Sequence, residues 1–319
     1  MGVSGLPRGL IIDLITPFKK GGDLDGRGLE KHLERVMPHV QGVFLASPFG
    51  GEGKNLSPQR REELLDRTLS IVKGQRPILV WVSQDTSETT QETLLLLKRR
   101  VQKRRYPGQI LWVDTPLFHR SNRGLGSYYE RLSSLISEVF LIHNDPDLIQ
   151  GLSRPFKRTN IRTSILKELT RINALKGLIS SGPLERARNY QMAVRSSVQF
   201  RIYDGDETNF LTYPSLSGVV SIGANLFPKA WGKITSFSIN LSGDLRSYPD
   251  YLRQIWDLGQ YLRKLRNIYS KEAAPLVKHM LWEMEFIGDP ACTFQVNGMK
   301  EKVSLLRGLM NDRKDYPFL

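Results

Sequence analysis

Lys176 stands in the strand-like run Ala174–Ile179, where its amine could act as a nucleophile or as half of a buried ion pair. A lysine facing an apolar interior needs a charge partner or a depressed pKa. Asp13, in the first strand-like run, and Asp114, in the fourth, are the carboxylates placed to supply one. His143 ends the fifth run and could serve as a general acid or base near neutral pH. A lone histidine is more often a hydrogen-bonded core residue, but a strand end is where barrel active sites form. Gly50-Gly51-Glu52-Gly53 could cradle an anion, although no P-loop lysine and serine follow at the required spacing. His32, His39, His119, His143 and His279 are scattered without metal-ligand spacing, so neither a metal nor a cofactor is expected. No serine lies in a nucleophile-elbow pattern.

Eight short apolar runs rich in β-branched residues could position these groups: Leu10–Thr16, Val43–Ser47, Ile78–Ser83, Ile110–Thr115, Val139–His143, Ala174–Ile179, Phe200–Tyr203 and Val219–Ile222. Helical patterns separate them at Gly28–Met37, Pro58–Val72, Glu88–Arg105, Gly126–Ile136, Ser164–Arg171, Leu184–Val194 and Asn209–Leu216. Start signals such as Ser57-Pro58 followed by Glu62 and Glu63 support them. This alternation predicts repeated βα units and a parallel sheet. Residues 228–319 read as helical, apart from a turn near Gly288–Pro290. The expected fold is α/β, a (β/α)8 barrel over residues 1–227 with a C-terminal helical region over 228–319 packed on it.

Composition narrows the function classes. The single cysteine, Cys292, excludes an internal disulfide and suits a reducing compartment. The N-terminal run soon meets Asp13 and makes a poor signal peptide, and no stretch reaches the ~18 apolar residues of a membrane span. A soluble, cytoplasmic protein without membrane contact is expected. The net charge of +14 could attract nucleic acid, with Lys98–Arg105 as its densest basic run. That run follows four leucines, lacks aromatic interleaving and reads as the solvated end of an amphipathic helix. Nucleic acid is therefore not the expected partner.

Several motifs resemble the dihydrodipicolinate synthase and N-acetylneuraminate lyase family, in order and over nearly the whole chain. LITPFKKGGDLD at 14–25 looks like T-P-F-x-x-x-G-x-x-D, and GVFLASPFGGEGKNLS at 42–57 resembles G-x-x-x-x-G-T-T-G-E-x-x-x-L-S. DTPLF at 114–118, HNDP at 143–146, YDGDE at 203–207 and GVVSIGANLFP at 218–228 are similar to V-T-P-Y-Y, Y-N-x-P, L-S-G-D-D and G-x-I-S-V-x-A-N-x-x-P. The resemblance implies a barrel, lyase or aldolase chemistry on a small keto acid through a lysine Schiff base, and a homotetramer or homodimer.

The departures fall on the residues that perform that chemistry. NALKGLISSG at 173–182 is similar to the sixth strand, V-x-G-I-K-E-A-S-G-D; laid without a gap against its end, the Schiff-base lysine becomes Leu178. The threonine pair becomes Phe49 and Gly50, the tyrosine partner becomes His143, and the second tyrosine of T-P-Y-Y becomes Phe118. Trp81 adds bulk where the third strand has glycine, and DLIQ at 147–150 lacks the arginine expected after Y-N-x-P. Leucine cannot form an imine. In this register Lys176 shares the face of Leu178 and lies ~6.6 Å deeper, at ~3.3 Å per residue. The site expected is therefore Lys176, His143 and Asp13 as catalytic groups, with Phe49, Gly50, Gly51, Phe118, Leu178, Gly205 and Val220 around a small keto acid or other small anion. The alternative is a non-catalytic barrel that binds an anion or serves as an assembly subunit.

Overall fold

The computed structural model describes residues 5–136, 138–152, 158–215, 217–239, 248–270, 272–294 and 298–312. Eight parallel strands close into one barrel in sequence order. They are β1 (Gly9–Asp13), β2 (Gly42–Leu45), β3 (Ile78–Trp81), β4 (Ile110–Asp114), β5 (Val139–Asn144), β6 (Leu175–Ser180), β7 (Arg201–Asp204) and β8 (Gly218–Ser221). Each expected strand is found; β1 to β4 and β8 end earlier than expected, where the chain turns into the loop above the barrel, and β5 to β7 end one residue later. Around the sheet run α1 (Gly26–Val36), α2 (Pro58–Val72), α3 (Ser87–Arg104), the short α4 (Pro116–His119), α5 (Leu125–Leu135), the short α6 (Pro146–Gln150), α7 (Thr163–Leu169), α8 (Leu184–Val194) and α9 (Glu207–Thr212). Leu216, the expected end of α9, lies outside the described residues.

Local chemistry sets these boundaries. Ser57 accepts from the Arg60 N–H at 3.2 Å and Pro58 opens α2, so its missing N–H costs nothing. Thr86 and Thr89 form a reciprocal capping box on α3. In α1 the stripe Leu29, Leu33 and Val36 is fully buried, each side chain contributing ~1.5–3 kcal/mol. Part of the basic run on α3 is spent on acidic neighbours: Arg100 meets Glu62 at 2.7 Å and Arg104 meets Asp66 at 2.6 Å on α2.

After β8 the chain forms α10 (Pro228–Ser238), α11 (Tyr248–Tyr269), α12 (Ala273–Glu283) and α13 (Lys300–Asn311). α10 packs on β1 and β8, so it completes the eighth βα unit, while α11 and α12 reach back over the barrel mouth. The helical pattern expected at 240–247 and 313–319 lies outside the described residues. Among those described, no helix is long and apolar enough to cross a membrane. One irregularity matters for chemistry. Phe140 pairs with Leu175 and Leu141 with Gly177, which leaves Lys176 as the extra residue of a bulge in β6.

Candidate active site

The C-terminal ends of the strands open into a cavity of about 650 Å³, a size suited to a small ligand. Asp13, Phe44, His143, Ile179 and Val220 reach it from the barrel, Phe49 and Gly50 from the β2 loop, and Arg266 and Glu272 from the C-terminal helices. Lys54 and Arg266 are the lysine and arginine that line it.

Asp13 ends β1 at the cavity floor. Asn225 holds the backbone here: its Nδ2 donates to the Asp13 carbonyl at 2.7 Å and its Oδ1 accepts from the Ile15 N–H at 3.2 Å. The Asp13 carboxyl has a hydrogen bond to Ser47, yet its Oδ1 is closed off from solvent without a partner. Burial pushes the carboxyl up to about 7; the Ser47 hydrogen bond opposes this and the Glu207 charge adds to it. Gly50 lies so close that a Cβ there would run into the carboxyl. Glu207 is buried but satisfied: its oxygens accept from Ser221 Oγ at 2.6 Å, the Gly223 N–H at 2.7 Å and the Tyr269 hydroxyl at 2.6 Å.

The surroundings of His143 favour one tautomer. Trp81 Nε1 donates to Thr115 Oγ1 at 2.9 Å, and that hydroxyl lies 3.1 Å from His143 Nδ1. The hydroxyl oxygen can accept twice, but its own hydrogen has Nδ1 as an acceptor, and with that bond made the ring proton sits on Nε2. Nε2 is 3.8 Å from Asp145, beyond hydrogen-bond distance. Burial keeps the imidazole pKa below its ordinary value, against the pull of Asp145. Nitrogen-resolved NMR is expected to find His143 as the neutral Nε2–H form from pH 7 to 8. Thr115→Val should release that preference, and an Nδ1–H ring in the unmodified protein would contradict the assignment.

The structure brings together Asp13, His143, Phe49, Gly50, Gly205 and Val220 at this cavity. It places the other expected residues differently. Lys176 projects from the bulge at the opposite, N-terminal end of the barrel, where its Nζ lies 3.4 Å from Gln199 Oε1, and it pairs with neither Asp13 nor Asp114. Asp114 is engaged behind the sheet by Ser83, His119 and Tyr129. Leu178 is fully buried on the helix-facing side, because the cavity-facing residue of β6 is its neighbour Ile179, level with His143. Phe118 turns away on α4 to pack edge-on against Trp81 at 5.9 Å, and Trp81 itself fills the space beneath the β2 loop. Gly51 lies just beneath the cavity, its N–H bonded to Ser47 Oγ at 2.8 Å.

Comparison with known proteins agrees with this architecture. Residues 6–288 match the dihydrodipicolinate synthetase family, and the chain belongs to it. A 4-hydroxy-tetrahydrodipicolinate synthase of Thermotoga neapolitana is 24% identical over 309 residues, covering 96% of this chain and 98% of the relative. A probable 2-dehydro-3-deoxy-D-pentonate aldolase of Escherichia coli is 24% identical over 291 residues, covering 90% and 89%. The crystal structure of dihydrodipicolinate synthase from Thermotoga maritima superposes with a TM-score of 0.78 at 21% identity, covering 98% of this chain and 99% of that one.

Proposed function

We propose that this barrel acts on a small oxo acid by proton transfer at the carbon beside the carbonyl, without an imine. The observation that carries the reading is the Asp13 carboxyl, unpaired at Oδ1, facing the cavity and raised to about 7. A group titrating near neutrality can both take and return a proton. In this scheme the Asp13 carboxylate accepts a proton from the α-carbon, and the charge moves onto the carbonyl oxygen. His143 Nε2–H donates a hydrogen bond to that developing enolate, and Asp13 then returns the proton to carbon. Lys54 is the lining cation open to a substrate carboxylate, because Arg266 already lies 3.4 Å from Glu207 and 3.6 Å from Asp206. In an aldolase sense the same enolate would form when a carbon–carbon bond breaks. Assembly as a homodimer or homotetramer, as the family suggests, accompanies this reading.

Ile179 supports the exclusion of a Schiff base at β6, since this residue, which faces the cavity, carries no amine. Incubation with pyruvate and borohydride is expected to leave the protein mass unchanged, and Lys176→Ala should behave as the unmodified protein does. An adduct would overturn the imine-free scheme. Deuterium exchange into pyruvate and larger 2-oxo acids, followed by NMR, tests proton transfer itself. A second reading, binding without turnover, draws on the carboxylates Asp145, Asp147 and Asp206, whose charges disfavour an enolate. It predicts a thermal shift with an oxo acid but no exchange.

A further inference from the structure

A second cavity, of about 520 Å³, lies between the loops that follow β4 and β5. Arg123, Arg158 and Arg162 line it together with Ser121 and Asn122, and no carboxylate is among its lining residues. Clustered guanidiniums are ordinarily offset by acidic neighbours, as Arg100 and Arg104 are by Glu62 and Asp66. Among the described residues, none of the three cavity arginines has such an ion pair.

The frame that holds them is rigid. Asn122, 7% exposed, accepts from the Arg162 N–H at 2.9 Å and donates to the Asn160 carbonyl at 3.1 Å. Asn144 at the end of β5 donates to Asn160 Oδ1 at 3.0 Å and accepts from the Ile161 N–H at 2.9 Å. Both arginine-bearing loops are thereby fixed to each other and to the barrel, so little ordering is left for a ligand to impose. The 11-residue α5 begins at the same rim. Its N-cap is Gly124 at φ 75°, without a side-chain cap, which leaves first-turn N–H groups open.

We propose that this cavity binds a small phosphate-bearing ligand. The guanidinium fork pairs two donors with two phosphate oxygens, and three such forks around a concave, carboxylate-free wall suit a compact dianion or trianion. A cavity of about 520 Å³ favours a phosphomonoester or diphosphate over an extended nucleic-acid backbone.

Titration calorimetry on the full chain with pyrophosphate, and separately with glycerol 3-phosphate, tests this. Binding by at least one is expected, weakening as salt rises. Each of Arg123→Ala, Arg158→Ala and Arg162→Ala should weaken it about fivefold, as expected for exposed charge pairs, and the triple variant should abolish it. The three side chains are exposed, so thermal melts of the variants should match the unmodified protein. Asp13→Asn should leave phosphate binding intact, which separates this site from the mouth. Unchanged binding in the triple variant would overturn the proposal. So would a fall in oligomer mass in these variants without loss of phosphate binding, which would make the cavity a subunit contact. Tighter binding of a single-stranded oligonucleotide than of pyrophosphate, lost in the same variants, would assign the arginines to nucleic acid instead.

Discussion

Asp13→Asn is expected to raise the melting temperature at pH 8 by several degrees while removing proton exchange into the oxo acid. The folded chain holds the Asp13 proton up to about pH 7, whereas the unfolded carboxyl releases it near its ordinary 3.8. Between those values the folded state binds a proton that the unfolded state has lost. Stability therefore falls as pH rises from about 4 to 7 and stays lowered above that window. The penalty at pH 8 is on the order of 2–4 kcal/mol, allowing for the part of the side chain that faces the cavity. Asparagine keeps the shape and carries no charge, so the penalty disappears. At pH 5 the folded carboxyl is mostly protonated but the unfolded one is already mostly ionised, so the variant should gain roughly a third to a half of what it gains at pH 8. Calorimetric melts at both pH values make the comparison; an equal gain at each, or none at pH 8, would mean the carboxylate is solvated or paired. Exchange should fall by about 10²- to 10⁴-fold, the usual contribution of a positioned acid or base. Gained stability with lost activity is the mark of a group kept in an unfavourable place for its chemistry.

That Asp13 and His143 line one cavity was legible in the sequence, because a charged residue and an imidazole interrupt runs that are otherwise apolar. The eight strands were legible for the same reason, since each is a short β-branched run bounded by helical patterning. The register of β6 was not. Alternation assigns Lys176 and Leu178 to one face only if the strand is unbroken, and the residue that breaks it is Lys176 itself. Nothing local announces that bulge. Phe118 was misplaced because Pro116 starts a short helix directly after β4 and carries the ring away from the mouth. Arg266 and Glu272 come from helices that reach the cavity only through tertiary packing. They have no sequence neighbour that marks them as site residues.

Lys278→Ala is expected to destabilise the fold by about 3–5 kcal/mol and to lower the melting temperature by about 10 °C. Lys278, on α12, and Glu52, in the β2 loop, are both fully buried and bonded to each other. Lys278 Nζ also donates to the Ala291 carbonyl at 2.9 Å and sits 4.4 Å above the Phe18 ring. Glu52 accepts from the Thr293 N–H at 2.6 Å and the Thr293 hydroxyl at 2.7 Å, and it holds a left-handed backbone at φ 54°. Alanine would leave that carboxylate buried without its cation, the costly half of any buried pair. Lys278→Met with Glu52→Gln removes both charges and should recover most of the loss, because the desolvation cost disappears with the attraction. The pair also ties the C-terminal helices to the loop that carries Phe49 and Gly50, so the alanine variant should bind mouth ligands more weakly even at temperatures where it stays folded. Chemical denaturation of the three variants decides the point. A Lys278→Ala midpoint indistinguishable from the unmodified protein would mean that Glu52 reaches solvent and that the loop is held by other contacts.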